Sequence, residues 1–238
     1  MRIAVFSDIH SNKHVLDAVL ADILKHKPDL VVCLGDLVGY GAYPDAVIQT
    51  IQESDILTVL GNYDDGIANR RLVCGCDFKD EKDMETGNKS ISWTTENTSE
   101  ASKRFMLGLP DRISKVIDGR KVVFLHGSPR RLNEYLYEDI PAADILAMLH
   151  EDNVDVLVCG HTHLPYHRVI EDRHIINVGS IGKPKHGDPQ AVYALIQTKN
   201  DIQVDFIKVP YNYEAAARAI EKTGLPVEFA MILRTGKG

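Results

Sequence analysis

Short apolar runs rich in β-branched residues punctuate the chain. Arg2–Phe6, Leu30–Leu34, Ile56–Leu60, Lys121–Leu125 and Asp155–Cys159 each read as a buried strand. Between them apolar residues recur at helical spacing. Asn12 is suited to cap a helix carrying Val15, Leu16, Val19, Leu20, Ile23 and Leu24 on one face, and Pro28 closes it. Pro44 occupies a first-turn position, where a missing N–H costs nothing, ahead of Ala46, Val47, Ile48 and Ile51. Pro141 opens another helix, with Ile145, Leu146 and Leu149 as its apolar face. Strand alternating with helix predicts an α/β protein with parallel pairing in its first half.

The second half has a different rhythm. Tyr166–Ile170, His174–Val178, Ala191–Gln197 and Gln203–Val209 follow one another across short polar breaks such as Glu171-Asp172-Arg173, which predicts an antiparallel meander or a second sheet. Tyr213–Lys222 reads as a late helix. With no internal repeat and no linker rich in Pro, Gly or Ser, residues 1–238 are expected to form one domain. The stretch 63–107 stands apart. It is polar and charged (DFKDEKDMETGNKS), with Phe78, Trp93 and Phe105 as its large apolar anchors, and it is too long for a simple loop. It reads as an insertion with a helix from about Ser90 to Leu107, either covering part of a site or lying as a solvated excursion on the body.

Composition narrows the function classes. Hydrophobic residues make up 44% and charged residues 26%, so the chain can bury a core and wholesale disorder is excluded. The net charge of −7 argues against an extended nucleic-acid partner, whose affinity would come from neutralising phosphates. A small phosphorylated substrate stays open, because a bound metal reverses the local field. Four cysteines are too few for a disulfide framework. Cys33 and Cys159 sit in apolar runs and read as core thiols, while Cys74 and Cys76 lie in a polar loop and lack a second Cys/His pair for a metal. Asp8 and His10 interrupt the first apolar run before a leader could form, and no window is long enough to span a membrane. A cytoplasmic protein with no membrane partner is expected.

The chemistry collects where strands end. The first ends in Asp8-Ile9-His10, the second in Gly35-Asp36, the third in Gly61-Asn62, and the later ones in His126-Gly127 and Gly160-His161-Thr162-His163. In parallel α/β sheets the carboxyl ends of strands share one edge, and ligands bind there. Residues two apart in extended backbone point to the same side, so Asp8 with His10, and His161 with His163, are expected to face one site. A mixed set of His, Asp and Asn suits borderline or hard divalent cations. Each fragment alone also fits a turn or a surface histidine; five of them in this order, each closing a predicted strand, point to a metal site.

The series DIHSN, GDLVGYG, GNYD, HGSP, GHTHLPY and NVGSIGKPKHGDP resembles the calcineurin-like metallophosphoesterase superfamily over about Met1–Val209, and within it the small bacterial and archaeal phosphodiesterase-like branch. The resemblance implies an α/β fold, a two-sheet β-sandwich flanked by helices. It implies two divalent metal ions (Mn, Fe, Zn, Ni or Co), one held by Asp8, His10 and His163, the other by Asn62, His126 and His161, with Asp36 bridging. It further implies hydrolysis of a small phosphodiester, with nucleotide-derived diesters among the candidates, by a water that the two metals deprotonate and align. Asp36 and Asn62 are then catalytic as well as ligating, and Ser7 and Ser128 are packing or supporting hydroxyls. Where the protein-phosphatase branch carries a histidine acid after the metal-binding Asn, this chain has Tyr63. A phenol of pKa ~10 donates a proton less readily near neutral pH than an imidazolium of pKa ~6.5. Tyr63 is therefore either a proton donor or an aromatic wall, and diesters or activated esters are favoured over unactivated monoesters.

Other candidates carry weaker signals. Lys185 and His186, with Lys183, follow Gly179-Ser180 and suit substrate phosphate, or are solvated loop groups. Asn12 caps a helix, orients a ligand, or contacts substrate. His14, Arg130 and Arg131 fall near the motifs; His26, His150, His167 and His174 read as surface or strand-face residues without function. Two other classes compete with the small phosphodiesterase: a non-catalytic interaction module of the same fold, like the retromer scaffold subunit, and a phosphomonoesterase or nuclease. The scaffold has an eroded ligand set whereas this one is complete, and the acidic charge with no Lys/Arg stripe disfavours the nuclease.

Overall fold

The apolar runs assemble into two mixed sheets of five strands each. The structure, a computed structural model, describes residues 1–71 and 80–238. Its strands are β1 (Arg2–Phe6), β2 (Leu30–Cys33), β3 (Leu57–Thr58), β4 (Arg112–Ile117), β5 (Arg120–Leu125), β6 (Val156–Cys159), β7 (Tyr166–Ile170), β8 (Arg173–Asn177), β9 (Ala191–Gln197) and β10 (Gln203–Val209). The helices are α1 (Lys13–His26), α2 (Pro44–Gln52), α3 (Asn62–Ala68), α4 (Glu81–Asn97), α5 (Glu100–Leu107), α6 (Ala142–Glu151), α7 (Tyr213–Glu221) and α8 (Val227–Thr235). One sheet runs β10-β9-β1-β2-β3 and the other β4-β5-β6-β8-β7.

Alternation along each central strand divides the core into layers. Ile3 and Val5 of β1 meet Phe124, Val158 and Ile176 between the sheets, while Ala4 and Phe6 face α1 and α2 through Leu16, Val19 and Val47. On the far side Val123, Leu157 and Ile175 pack against Ile145 and Leu149 of α6. A strand covered on both faces has no polar side, which is why these runs read as continuous apolar blocks. Asn12 caps α1, and Lys27 ends it in the left-handed region one residue before Pro28.

Three expectations are corrected. The late strands do not form a meander; the alternative, a second sheet, holds for β7 and β8, which pair antiparallel within it. β8 lies parallel to β6, and β9 returns to the first sheet, antiparallel to β1. The run Ala191–Ile196 is buried throughout, so β9 needs neighbours on both sides and finds them in β1 and β10. The helix expected from Ser90 to Leu107 is instead two helices: Thr98 is extended, and Ser99 accepts a hydrogen bond from Ser102 N (3.2 Å), starting α5 afresh. α4 also begins earlier, where Asp80 caps it. The strand β4 escapes the sequence pattern because it is an edge strand with mostly exposed side chains, paired only with β5. Cys74, Cys76 and Phe78 lie outside the described residues.

A close backbone approach joins the end of β3 to the loop after β2. A Cβ on Gly61 would lie 2.1 Å from the Asp36 backbone nitrogen and 2.2 Å from its Oδ1. Gly61→Ala is expected to cost at least about 2 kcal/mol, because backbone has no flexible end to give way. Denaturant unfolding of variant and parent checks this.

Candidate metal centre

Five strands deliver the candidate ligands to one edge of the sandwich. Asp8 and His10 follow β1, Asp36 follows β2, and Asn62 starts α3 just after β3. From the other sheet, His126 follows β5, and His161 and His163 follow β6. All seven are almost wholly buried, none more than 4% exposed. Ligating atoms of Asp8, His10 and His163 lie within 4.8 Å of one another, and so do those of Asp36, His126 and His161. Asn62 Oδ1 is 2.8 Å from His126 Nε2, beside the second group. Asp36 touches both groups, its Oδ2 3.8 Å from His10 Nε2 and its Oδ1 3.5 Å from His126 Nε2.

The backbone that presents these side chains is not extended, as the two-residue spacing suggested. Asp8 (φ 57°), His10 (49°), Asp36 (52°), His161 (66°) and His163 (63°) all sit in the left-handed region. For residues with a Cβ this costs roughly 1–2 kcal/mol each. The cost is offset by a zipper of main-chain bonds between loops. Asp8 N donates to Gly35 O (3.0 Å), His10 N to Asp36 O (3.0 Å), Ser11 N to Leu37 O (2.8 Å) and Gly182 N to Asp8 O (2.9 Å). Asp64, a residue the sequence reading passed over inside GNYD, clamps two loops together. Its carboxylate accepts from Leu37 N (2.8 Å), Val38 N (3.2 Å) and Gly61 N (3.1 Å). Burial, countered by those donors, raises its pKa to about 6.

Hydrogen bonds on the outer side fix the imidazole protons. His10 Nδ1 faces the Val38 carbonyl (3.1 Å), His126 Nδ1 that of Leu34 (2.8 Å), His163 Nδ1 that of Lys183 (2.6 Å), and His161 Nε2 that of Asn133 (3.2 Å). A carbonyl only accepts, so each of these nitrogens carries the hydrogen and the opposite nitrogen is bare. The bare nitrogens then converge. His10 Nε2 and His163 Nε2 are 3.3 Å apart, and His126 Nε2 and His161 Nδ1 are 3.2 Å apart. His163 Nε2 is 3.1 Å from Asp8 Oδ1, a buried oxygen that receives no hydrogen bond. Such a collection of acceptors with no proton among them repels itself until a cation enters, and this donor set fits divalent metals.

Ionisation follows the same logic. Burial depresses His10 and His161, and it brings His163 down to about 4 against the pull of Asp8. Burial raises Asp36, and the neighbouring Asp8 and Asp64 charges raise it further.

The remaining candidates are placed as follows. Tyr63 donates its backbone N–H to Asp36 Oδ1 (2.8 Å), but its ring is packed in the core against Gly39, Tyr40 and His10, and burial pushes its phenol pKa up. Asn12 spends its side chain on the chain itself, accepting from Val15 N (3.2 Å) and donating to the Tyr211 hydroxyl (3.3 Å) and the Gly182 carbonyl (3.4 Å). Lys185 and Lys183 line a cavity of about 420 Å³ together with Tyr40, Tyr135 and Thr162, which ties that cavity to the metal-ligand loops. His186 is not among the described residues lining it. Ser7 Oγ is buried where Gly160 crosses, Ser128 bonds Glu134 with Arg130, and His14 packs edge-on against Tyr43. Tyr135 was missed; its ring stacks on His161 with centroids 3.9 Å apart. The alternate tyrosines of NEYLYE were its only trace.

The chain belongs to the calcineurin-like phosphoesterase superfamily, whose domain matches residues 1–201. Its two buried ligand groups on that fold imply divalent metal ions. An uncharacterized protein of Methanocaldococcus jannaschii is 32% identical over 245 residues, covering 94% of this chain and 93% of that protein. The crystal structure of a metallophosphoesterase from Sphaerobacter thermophilus superposes with a TM-score of 0.78 at 28% identity, covering 99% of each chain. A hypothetical protein from Pyrococcus horikoshii shares the fold with a TM-score of 0.84 at 23% identity, covering 99% of this chain and 98% of that one. Among the described residues no helix is long and apolar enough to cross a membrane.

Two outcomes are expected. A metal entering the site must displace the proton that the raised Asp36 retains, whereas the depressed imidazoles are already neutral. Affinity for Mn²⁺ is therefore expected to fall as pH drops through the raised Asp36 range, which lies above the ordinary carboxylate one, and to fall again near the His163 value of about 4. Calorimetric titration at stepped pH checks this, and a constant affinity would contradict it. Asn12→Ala is expected to lose about 1–2 kcal/mol of stability, with metal affinity unchanged within error, as read by denaturant unfolding and the same calorimetry.

Proposed function

We propose that the protein is a dinuclear metal-dependent phosphoesterase that hydrolyses a small phosphodiester. One observation carries this reading: bare acceptor atoms from both sheets meet in two adjoining buried groups, with Asp36 in reach of each. In our assignment Asp8, His10 and His163 would hold one cation and Asn62, His126 and His161 the other, with Asp36 within reach of both groups. Such a pair supplies a nucleophilic water at neutral pH and neutralises charge on the phosphoryl oxygens. Mn, Fe, Zn, Ni and Co all suit the donor set.

The chain's own groups do the rest. The four backbone carbonyls fix the imidazole tautomers, so no ring has to reorient as charge develops. The His161 N–H donates to Asp8 Oδ2 (3.1 Å) and the Tyr63 N–H to Asp36 Oδ1, which aim the opposite oxygens inward. Lys183 and Lys185, with the Tyr40 and Tyr135 rings beneath their ammonium groups, offer positive charge to a phosphate at the mouth of the site. Tyr63 acts as a wall. A phenol whose pKa burial has raised is a poor acid toward a leaving group, which favours diesters and activated esters.

Hydrolysis of bis(p-nitrophenyl) phosphate with Mn²⁺ is expected to stop on adding EDTA, and Asp36→Asn or His161→Ala is expected to lower kcat/KM at least about a hundredfold. Turnover indifferent to chelator would refute the proposal. Proton donation is worth about 10²–10⁴ in rate, so Tyr63→Phe is expected to cost less than about tenfold if Tyr63 is a wall. A loss of about a hundredfold or more, with metal content unchanged, would return it to the role of acid.

A further inference from the structure

We infer that the cavity on the His126 side of the metal centre is an anion subsite, in which the Arg131 guanidinium receives a carboxylate or phosphate carried at the far end of one arm of the substrate. This names a substrate class for the phosphodiesterase reading, a diester with a second negative charge, and rests on that reading only for what happens at phosphorus.

A cavity of about 320 Å³ lies beside the second ligand group. Leu60 and Asp65, on either side of Asn62 in the chain, line it together with His126 and the loop 127–132. This loop is fixed before any ligand arrives. Ser128 N donates to Arg131 O (3.0 Å), and the Ser128 hydroxyl oxygen accepts from Arg130 N (3.1 Å) and Arg131 N (3.0 Å). Glu134 closes the turn, accepting from Arg130 Nε (3.1 Å) and from the Ser128 hydroxyl. At the base the loop folds back on itself: a Cβ on Gly127 would lie 2.3 Å from the Leu132 carbonyl oxygen. The segment then runs on to Asn133, whose carbonyl faces His161 Nε2, so the turn and the metal ligands share one framework. A guanidinium carried on a preorganised turn binds at less entropic cost than one on a loose loop.

Most charges around the cavity are already paired. Asp65 is engaged by Arg71 (2.6 Å) and Arg112 by Asp152 (2.6 Å), and Arg130 is committed to Glu134. Arg131 is different. It lines the same space, its side chain is exposed, and among the described residues no oxygen accepts from its guanidinium; its charge acts on Glu134 only through space. A guanidinium stays charged at any ordinary pH, and its planar fork of N–H donors matches a carboxylate or a phosphate. Water serves it in the free protein, but an anion makes bonds roughly twice as strong as neutral ones. Asp111 also lines the cavity without a partner among the described residues, and its like charge holds an anion toward the Arg131 end. Three guanidiniums and two carboxylates stand among the described lining residues, so the excess charge is positive and a cationic arm is disfavoured. An apolar arm would leave Arg131 with water alone.

The test uses phosphonates that differ only at the far end. Alkylphosphonates and ω-carboxyalkylphosphonates of matched length are titrated calorimetrically into the Mn²⁺-loaded protein over a series of chain lengths. Alkane diphosphonates of the same lengths tell a phosphate-like terminus from a carboxylate, and the series that binds tighter names the group. At the length that reaches Arg131, the ligand with the second charge is expected to bind at least about tenfold tighter than its alkyl counterpart, the size of one hydrogen bond to a charged group. Arg131→Gln, a change at an exposed side chain, is expected to shrink that difference to about threefold or less, and Arg131→Lys to keep part of it, because the charge remains and the fork is lost. Asp111→Asn is expected to tighten the charged ligands about two- to fivefold and leave the alkyl series as it was, a gain that damage to the fold would not produce. Equal binding at every length, no detectable binding of any phosphonate, a preference that survives Arg131→Gln, or no gain in Asp111→Asn would each overturn the inference. Hydrolysis of bis(p-nitrophenyl) phosphate is measured in parallel. A preference for the second charge without turnover would sink the reading at phosphorus and leave the subsite standing, and turnover without that preference would do the reverse.

Discussion

Asp8 Oδ1 lies 3.1 Å from one imidazole nitrogen and 3.6 Å from another, and none of the three atoms has a proton to offer the others. The same holds where Asn62 Oδ1, His126 Nε2 and His161 Nδ1 meet. In water such acceptors would simply be hydrated. Here they are buried, and the carbonyls of Val38, Leu34, Lys183 and Asn133 have already claimed the hydrogens that would have relieved them. The arrangement makes physical sense only around positive charge. The raised Asp36 tells the same story, because a carboxyl crowded by Asp8 and Asp64 keeps its proton until a cation replaces it.

The fold spends local comfort to hold that arrangement. Five candidate ligands adopt a backbone region that residues with a Cβ avoid, and glycines at 61 and 160 let neighbouring strands' loops close on Asp36, Ser7 and Asp8. Ladder bonds that continue β1–β2 pairing past the strand ends, together with the Asp64 clamp, make the strained loops the lowest-energy course for the chain. Around this rigid floor the walls are of different origin. α4 comes from the polar stretch after α3, and α8 from the end of the described chain; both contribute to the cavity that a substrate would fill.

Much of this was legible beforehand because strand ends in α/β proteins carry chemistry at fixed places. The five fragments from Asp8-Ile9-His10 to His161-Thr162-His163 could be located by apolar periodicity alone, and the structure brings them to one edge. The reason given for their convergence was wrong in detail: left-handed residues, not pleated strand, turn each pair inward. Periodicity also says little about elements whose apolar face is narrow. β4 shows most of its side chains to solvent, and the Thr98–Ser99 break in the polar stretch depends on a single hydroxyl cap. Asn12 was read correctly as a cap, while nothing in a sequence tells that Tyr211 and Gly182 arrive to use its amide. The Tyr135 ring was invisible for a related reason: a tyrosine in an irregular segment acquires meaning only when His161 is found beneath it.

Neither ligand group belongs to one sheet. Asp8 and His10 from the first meet His163 from the second, and Asp36 from the first meets His126 and His161 from the second. The centre therefore rivets the seam of the sandwich, and sliding or splaying of the two layers is geometrically the same motion as opening the site. Val5, Phe124, Val158 and Ile176, which fill that seam, thus set the gauge between the two halves of each cluster from within the core.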